Sequence, residues 1–213
     1  MRIGVLISGR GSNLQSLVDA QTSGSLLAEI SVVVSNVPDV QGLEIANENS
    51  LATEVINHAN YSNREKFDTV LHETLLDANV DLVCLAGFMR ILTGEFVNKW
   101  TNRMINIHPS LLPSFKGLNT HQRVLDAGVR FTGCTTHFVR PAMDEGPIII
   151  QSAVPILEED NPKTLAARVL LEEHKIYPAT VRMIVEDRVR VEGDVVRFKN
   201  PGSPSIPIMN PPK

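Results

Sequence analysis

The sequence predicts an α/β fold: a Rossmann-like, doubly wound and mostly parallel sheet with helices on both faces. Short apolar runs rich in β-branched residues, beginning with Arg2–Ile7, are typical of parallel strands that are covered on both faces. Stretches with apolar residues at helical spacing alternate with these runs, and Leu14, Leu17 and Val18 mark the first of them. Because strands that alternate with helices form parallel sheets, the pattern indicates this architecture.

The predicted elements follow one another in this alternation. Ser12 or Asn13 is the expected cap of the first helix, which ends near Ser23, and Ser62–Glu65 has the pattern of a capping box. The later strands are expected at Ile30–Ser35, Ala52–Ile56, Leu82–Ala86 and Arg103–Ile107, and within Arg130–Val139 and Ile148–Val154. The later helices are expected at Gln41–Asn49, Ser62–Ala78, Thr93–Trp100, Thr120–Ala127 and Pro162–Glu186.

Three segments depart from this alternation. Pro109–Gly117 contains two prolines and a glycine, which predicts a rigid irregular loop over the sheet edge. A small hairpin is expected around Gly193-Asp194, between Val189–Glu192 and Val195–Lys199. We therefore predict a single domain over residues 1–199 and an extended or disordered, proline-rich tail over residues 200–213.

The composition excludes several classes of function. A formal charge of −4 over 213 residues provides no general field for nucleic acid or for an anionic membrane. No apolar run approaches the ~18 residues of a membrane span, and the N-terminus lacks the pattern of a signal peptide. Cys84 and Cys134 are expected to be buried thiols of a reducing, cytoplasmic setting. The histidines lack metal-ligand spacing, so no metal is predicted.

The loop Gly9–Asn13 joins the first strand to the first helix and is a candidate anion site. Glycines allow close approach of a ligand, and a helix N-terminus offers free N–H groups, although a tight turn alone would need the same residues. Leu14 occupies the third glycine position of the dinucleotide fingerprint, and the second strand ends without a carboxylate. The loop therefore favours a monophosphate, held by Gly11, Ser12 and Asn13.

A second group of polar residues ends the strand Arg103–Ile107. Asn106 and His108 are two residues apart and so project to the same face, at the edge where open α/β sheets bind ligands. An asparagine can donate to a developing oxyanion, and a histidine exchanges protons near neutral pH. Asp144 lies in the turn before another apolar run. It is either an aspartate of the kind that is common in turns or the carboxylate that orients this histidine.

Four segments together resemble the phosphoribosylglycinamide formyltransferase family, the 10-formyltetrahydrofolate-dependent transformylases of purine synthesis. The segments are Ile7–Gln15, Leu85–Leu92, Asn106–Pro113 and Asp144–Pro147, and they match the family in order and spacing from residue 2 to about residue 190. The run Asn-Ile-His-Pro-Ser-Leu-Leu-Pro is specific for folate formyl chemistry. The Gly-Arg-Gly-Ser-Asn loop is similar to that of the glycinamide ribonucleotide enzymes.

The resemblance implies a role for each candidate residue. Asn106, His108 and Asp144 would be the catalytic group, and Glu173 would meet the ribose or glycinamide end of the substrate. The implied folate-binding residues are Arg64, Met89, Arg90, Ile91, Leu92, Asn106, Val139 and Met143. The implied partners are glycinamide ribonucleotide and the co-substrate 10-formyltetrahydrofolate, with no nucleic acid, membrane or metal, and the protein would be a monomer or homodimer.

Two segments depart from the family pattern, and other functions stay open. Asn119 stands where the family has a histidine, and Arg140–Ala142 is unlike the acidic version of that segment. The enzyme alternatives are a hydrolase that releases formate and a transferase to an aminoacyl-tRNA. Those relatives normally carry an extra domain, for which we expect no room in 213 residues. A module that only binds a phosphorylated metabolite is the alternative outside enzymes.

Overall fold

Seven strands form one sheet in the order β3-β2-β1-β4-β5-β6-β7 in the computed structural model, which describes residues 1–199 and Asn210. The strands are β1 (Arg2–Ile7), β2 (Glu29–Ser35), β3 (Thr53–Val55), β4 (Leu82–Leu85), β5 (Met104–His108), β6 (Phe131–Phe138) and β7 (Ile148–Pro155). The first five strands are parallel, whereas β6 is antiparallel to both of its neighbours, β5 and β7. The prediction of a doubly wound, mostly parallel sheet is confirmed.

Six helices connect and cover these strands. They are α1 (Ser12–Thr22), α2 (Gln41–Glu48), α3 (Arg64–Asp77), α4 (Gly94–Lys99), α5 (Thr120–Asp126) and α6 (Pro162–Val185), with a 3-10 turn at His58–Asn60. The C-terminal hairpin forms as predicted from β8 (Val189–Glu192) and β9 (Val195–Phe198). The predicted tail lies outside the described residues, apart from Asn210.

Two apolar layers bury the sheet on both faces. Val5 and Ile7 of β1 pack into the layer formed with α1, α2, α5 and α6, whereas Leu6 packs into the layer formed with α3 and α4. Successive residues of a strand point to opposite faces, so a strand between two layers must be apolar throughout. This burial explains why β1 is a continuous apolar run rather than an alternating one.

Two predicted helix caps are corrected by the structure. Gly11 caps α1 with φ 74°, and Ser12 and Asn13 lie inside the first turn. Glycine is needed here because a Cβ on this residue would lie 2.5 Å from the Cα of Gly42. Helix α3 begins one residue after Asn63, whose side chain accepts the N–H of Lys66, so the cap is not Ser62. A second cap, Asn161 on α6, was not predicted.

The order of the strands places a crevice beside β1. The chain moves from β1 to β2 and β3 on one side, and then crosses to β4 and β5 on the other. The loops that leave the carboxyl ends of β1 and β4 therefore diverge, and the gap between them is where open α/β sheets bind ligands. The loops Ser8–Gly11 and Ala86–Thr93 border this crevice.

The conformation of Gly11 generates a prediction for stability. Gly11→Ala should lower the free energy of unfolding by about 1–3 kcal/mol, because an alanine must adopt a left-handed backbone against Gly42. Gly9→Ala is the matched control, since no atom of the described residues lies within 4 Å of its added Cβ, and its effect should stay within about 0.5 kcal/mol. Urea unfolding followed by circular dichroism measures both values, and equal effects would contradict the assignment.

Candidate functional site

The end of β5 brings three of the candidate residues together. His108 is 5% exposed, and its Nδ1 lies 3.4 Å from Oδ2 of Asp144, although the two residues are far apart in sequence. Asn106 lies two residues earlier on the same strand and on the same face. The structure therefore places an amide, an imidazole and a carboxylate at one edge of the sheet.

The turn that carries Asp144 is fixed by its backbone. Asp144 has φ 56°, a left-handed conformation that aspartate tolerates better than most residues. Gly146 lies so close to β6 that an added Cβ would be 1.6 Å from the carbonyl oxygen of Phe138. The carboxylate also accepts the N–H of Gly117, with 2.8 Å between N and Oδ2. These contacts return the chain after β6 to the end of β5.

Both ring nitrogens of His108 face hydrogen-bond acceptors. Nδ1 faces Asp144, and Nε2 lies 3.0 Å from the carbonyl oxygen of Phe115 in the loop after β5. A carbonyl and a carboxylate can only accept, so an imidazolium with two N–H groups satisfies both partners at once. A proton on either ring nitrogen of His108 therefore meets an acceptor.

His137 is a member of the site that the sequence analysis missed. It pairs with Asn106 across β5 and β6, and its Nδ1–H donates to the carbonyl of Phe138 at 3.0 Å. Its Nε2 then accepts from Nδ2 of Asn106 at 3.3 Å. Burial lowers the pKa of His137, so its Nε2, 3.9 Å from Asp144, forms no ion pair with that carboxylate. The antiparallel register that places His137 opposite Asn106 is a property of the folded sheet, and no sequence pattern indicated it.

The candidate phosphate loop contains a buried polar pair. Nδ2 of Asn13 donates to Oε2 of Glu173 on α6 at 2.7 Å, and both residues are buried. Burial raises the pKa of Glu173, while the bond from Asn13 and the charge of Arg10 oppose that change. Oδ1 of Asn13 is buried without a hydrogen-bond partner among the described residues, which leaves an acceptor for a ligand.

An open cleft lies beside α1, between that helix, α2 and α6. Its volume is about 420 Å³, and Arg10, Ser12 and His174 contribute to its walls. The first N–H groups of α1 have no partners within the helix and lie at the same end. The cleft thus combines a cationic side chain and a hydroxyl with the N-terminal end of α1, which favours an anion there, whereas the carboxylate of Asp19 also lines the cleft.

The candidate folate residues lie at the same edge with mixed exposure. Met89, Ile91 and Met143 are more than half exposed, an unusual state for large apolar side chains. Leu92 and Val139 pack into the layer of α3 and α4.

Two arginines border this apolar group. The guanidinium of Arg90 lies 4.4 Å from the centre of the Phe67 ring, and Arg64 is exposed at the start of α3. Phe67 lies one helical turn after Arg64, so the two cationic groups belong to one side of the molecule.

The two departures from the family pattern are local. Asn119 caps α5 with φ 55° and makes no side-chain cap bond, whereas Arg140 donates to Oδ1 of Asn102 at 2.7 Å. Within residues 1–199 and Asn210, no group of three potential metal ligands occurs. No helix in that part of the chain has the length and apolar character to cross a bilayer.

Comparison with known proteins identifies close relatives. Residues 1–181 match the model of the formyl transferase family. The phosphoribosylglycinamide formyltransferase of Haemophilus influenzae is 41% identical over 194 residues, which cover 91% of this chain and 92% of that protein. The glycinamide ribonucleotide transformylase 1 of Symbiobacterium toebii shares the fold with a TM-score of 0.91 and 46% identity, over 93% of each chain.

A further relative is much longer than this chain. The trifunctional purine biosynthetic protein adenosine-3 of Bos taurus is 54% identical over 190 residues. Those residues are 89% of this chain but 19% of that protein. The chain therefore spans about a fifth of the length of this trifunctional relative.

The burial of Glu173 predicts how stability changes with pH. Its pKa is higher in the folded state than in the unfolded state, where it is about 4.3. Ionisation of Glu173 therefore destabilises the fold progressively as the pH rises from the pKa of the unfolded state through the pKa of the folded state. Glu173→Gln keeps an acceptor for Asn13 and removes that penalty. The melting temperature of this variant, relative to the wild type, should therefore increase between pH 4 and pH 8.

The adjacent Glu172 is the matched control. A hydrogen bond from Lys175 lowers the pKa of Glu172, so its ionised form stabilises the fold above the unfolded pKa. Glu172→Gln should become less stable, relative to the wild type, over the same rise in pH. Calorimetric melting at several pH values measures both trends, and trends of the same sign would contradict the assignment.

Proposed function

The chain belongs to the formyl transferase family, and we propose that it transfers the formyl group of 10-formyltetrahydrofolate to the primary amine of glycinamide ribonucleotide in purine biosynthesis. The observation that carries this proposal is the placement of Asn106, His108 and Asp144 beside a crevice that also contains the phosphate loop. The identity to phosphoribosylglycinamide formyltransferases over most of their length supports the choice of amine.

The crevice would hold the ribonucleotide at the α1 end. The N–H groups of Gly11, Ser12 and Asn13 would meet the phosphate, because a helix N-terminus favours an anion. Glu173 would meet the ribose or the glycinamide end, next to the unpartnered oxygen of Asn13. A local anion site explains how a chain with a charge of −4 binds an anionic substrate.

The folate would lie on the other side of the crevice. The exposed side chains of Met89, Ile91 and Met143 would cover its flat ring, above the buried Leu92 and the half-buried Val139. Arg90 lies deeper, against Phe67. Arg64, exposed at the start of α3, would meet the anionic tail of the folate.

Attack of the substrate amine on the formyl carbon forms a carbon–nitrogen bond and a tetrahedral intermediate with negative charge on the formyl oxygen. The second N–H of the Asn106 amide and the Nε2–H of His108 would donate to that oxygen. Each such donor lowers the barrier by roughly 3 kcal/mol in comparable sites. The bond from carbon to N10 then breaks, and a proton moves from the amine to N10.

The loop after β5 must release its hydrogen bond to His108 for this step. The carbonyl of Phe115 accepts the Nε2–H of His108, the same donor that the oxyanion needs. Asp144 would stay on Nδ1 and hold the imidazolium in place, while the formyl oxygen replaces the Phe115 carbonyl at Nε2. The same carboxylate accepts the N–H of Gly117, so Asp144 connects His108 to the loop that covers this histidine.

The setting of the protein is also part of the proposal. Cys84 and Cys134 are buried, free thiols, and burial raises the pKa of each to about 12. Such unreactive thiols fit a reducing cytoplasm. The two substrates are small molecules, and the protein would bind them as a monomer or as a homodimer.

One assay separates the proposed transfer from its alternatives. The protein is incubated with 10-formyltetrahydrofolate, with and without glycinamide ribonucleotide, and the folate is followed by absorbance. We expect loss of the formyl group only when the ribonucleotide is present, with formation of the formylated amine. Loss without the amine would instead support a hydrolase, and no loss in either case would support a module that only binds ligands.

Variants of the catalytic group should divide turnover from binding. His108→Ala removes the imidazole that would donate to the oxyanion, and Asp144→Ala removes the carboxylate that holds this imidazole. Turnover should therefore fall by about 100-fold or more in each variant. Ser12→Ala lies in the phosphate loop and should mainly raise the KM for the ribonucleotide. Steady-state kinetics with both substrates measures the difference, and near-normal turnover of His108→Ala would refute the assignment.

A further inference from the structure

A chain of hydrogen bonds connects the carboxyl ends of β1, β2 and β4. The hydroxyl oxygen of Ser8, the first residue after β1, accepts the backbone N–H of Met89 at 2.7 Å. The same hydroxyl donates to Oδ1 of Asn36, the first residue after β2, at 2.5 Å. A single hydroxyl therefore joins a residue of the β2 end to the loop that follows β4.

The direction of these bonds is determined by Asn36. Its side chain is buried, with 2% of the residue exposed. Oδ1 can only accept, so the Ser8 hydroxyl must donate to it and keep a lone pair for Met89. The backbone carbonyl of Asn36 is in turn held by the N–H and by Nδ1 of His58, at 3.2 and 2.7 Å. Asn36 thus fixes the rotation of the Ser8 hydroxyl.

The hydrogen bond between Ser8 and Met89 joins the two candidate binding segments. Ser8 directly precedes the phosphate loop Gly9–Asn13, and Met89 begins the candidate folate segment Met89–Leu92. The pairing of β1 with β4 ends at Leu6 and Leu85, followed by one backbone bond from Ala86 to Leu6. Among the described residues, the bond from Met89 to Ser8 is the one that joins the two loops beyond that point.

We propose that Ser8 and Asn36 are positioning residues for the transfer step, on the basis of the function proposed above. They set the spacing between the loop that holds the ribonucleotide and the segment that holds the folate, and touch neither reacting group. Direct transfer needs the amine and the formyl carbon within about 3–3.5 Å, and an error of about 1 Å can lower the rate about 100-fold. Each substrate alone would still find its own loop intact.

The test compares transfer with binding in matched variants. Ser8→Ala removes the bridge, Asn36→Ala frees the hydroxyl, and Ser8→Thr keeps it. Ser31→Ala is the control, because its hydroxyl bonds to the carbonyl of Ile3 within the sheet, away from both loops. The measurements are the single-turnover rate with both substrates saturating, and the Kd of glycinamide ribonucleotide and of tetrahydrofolate, each bound alone.

We expect the rate to fall by about 10- to 100-fold in Ser8→Ala and in Asn36→Ala, with each Kd changed by less than about threefold. Ser8→Thr and Ser31→Ala should stay near the wild type. The double variant should be no slower than Ser8→Ala, because both substitutions act through one hydroxyl. Exchange of the Met89 N–H with deuterium should be faster in Ser8→Ala and in Asn36→Ala.

Three results would overturn the assignment. An unchanged rate in Ser8→Ala would show that the bridge does not position the substrates. Weaker binding of each substrate, in proportion to the loss of rate, would show a merely structural role. If the wild type transferred no formyl group, the proposed function and this assignment would fail together. If the wild type were active and Ser8→Ala were equally active, this assignment alone would fail.

Discussion

The site depends on the parallel pairing of β1 with β2 on one side and β4 on the other. This pairing is possible because β1 is apolar on both faces and lies between two buried layers. Parallel neighbours end at the same edge, so the loops after β1, β4 and β5 meet there although they are far apart in sequence. The candidate anion site, the candidate folate surface and His108 are therefore neighbours as a direct result of strand order.

The chemistry at this edge depends on hydrogen-bond direction more than on residue type. Two histidines lie close together, yet their hydrogen-bond partners differ. His137 donates to one carbonyl and accepts from Asn106, so a neutral ring satisfies both partners. His108 faces two acceptors, Asp144 and Phe115, and only a protonated ring satisfies both. One ring thus meets a donor and an acceptor, whereas the other meets two acceptors.

Periodicity predicted the architecture, because strand and helix patterns reflect burial that is local to each element. The cap of α1 was wrong because the choice of Gly11 depends on Gly42, a contact with another helix that no local pattern contains. His137 was missed because its partner lies across an antiparallel pair whose direction the sequence did not specify. The motif around Asp144 was found, but its contact with His108 depends on how Gly146 packs against β6.

The residues that equip the edge for its proposed function are individually unfavourable for folding. Glu173 is a buried carboxyl group, the Asn13 oxygen has no partner among the described residues, and Asp144 has a left-handed backbone. Such groups persist only where the surrounding structure fixes them. Here the Asn13 amide donates to Glu173, and the N–H of Gly117 donates to Asp144. A bound amine or hydroxyl would donate to the Asn13 oxygen and to the Glu173 carboxylate, so the same groups that weaken the free protein would strengthen its complex.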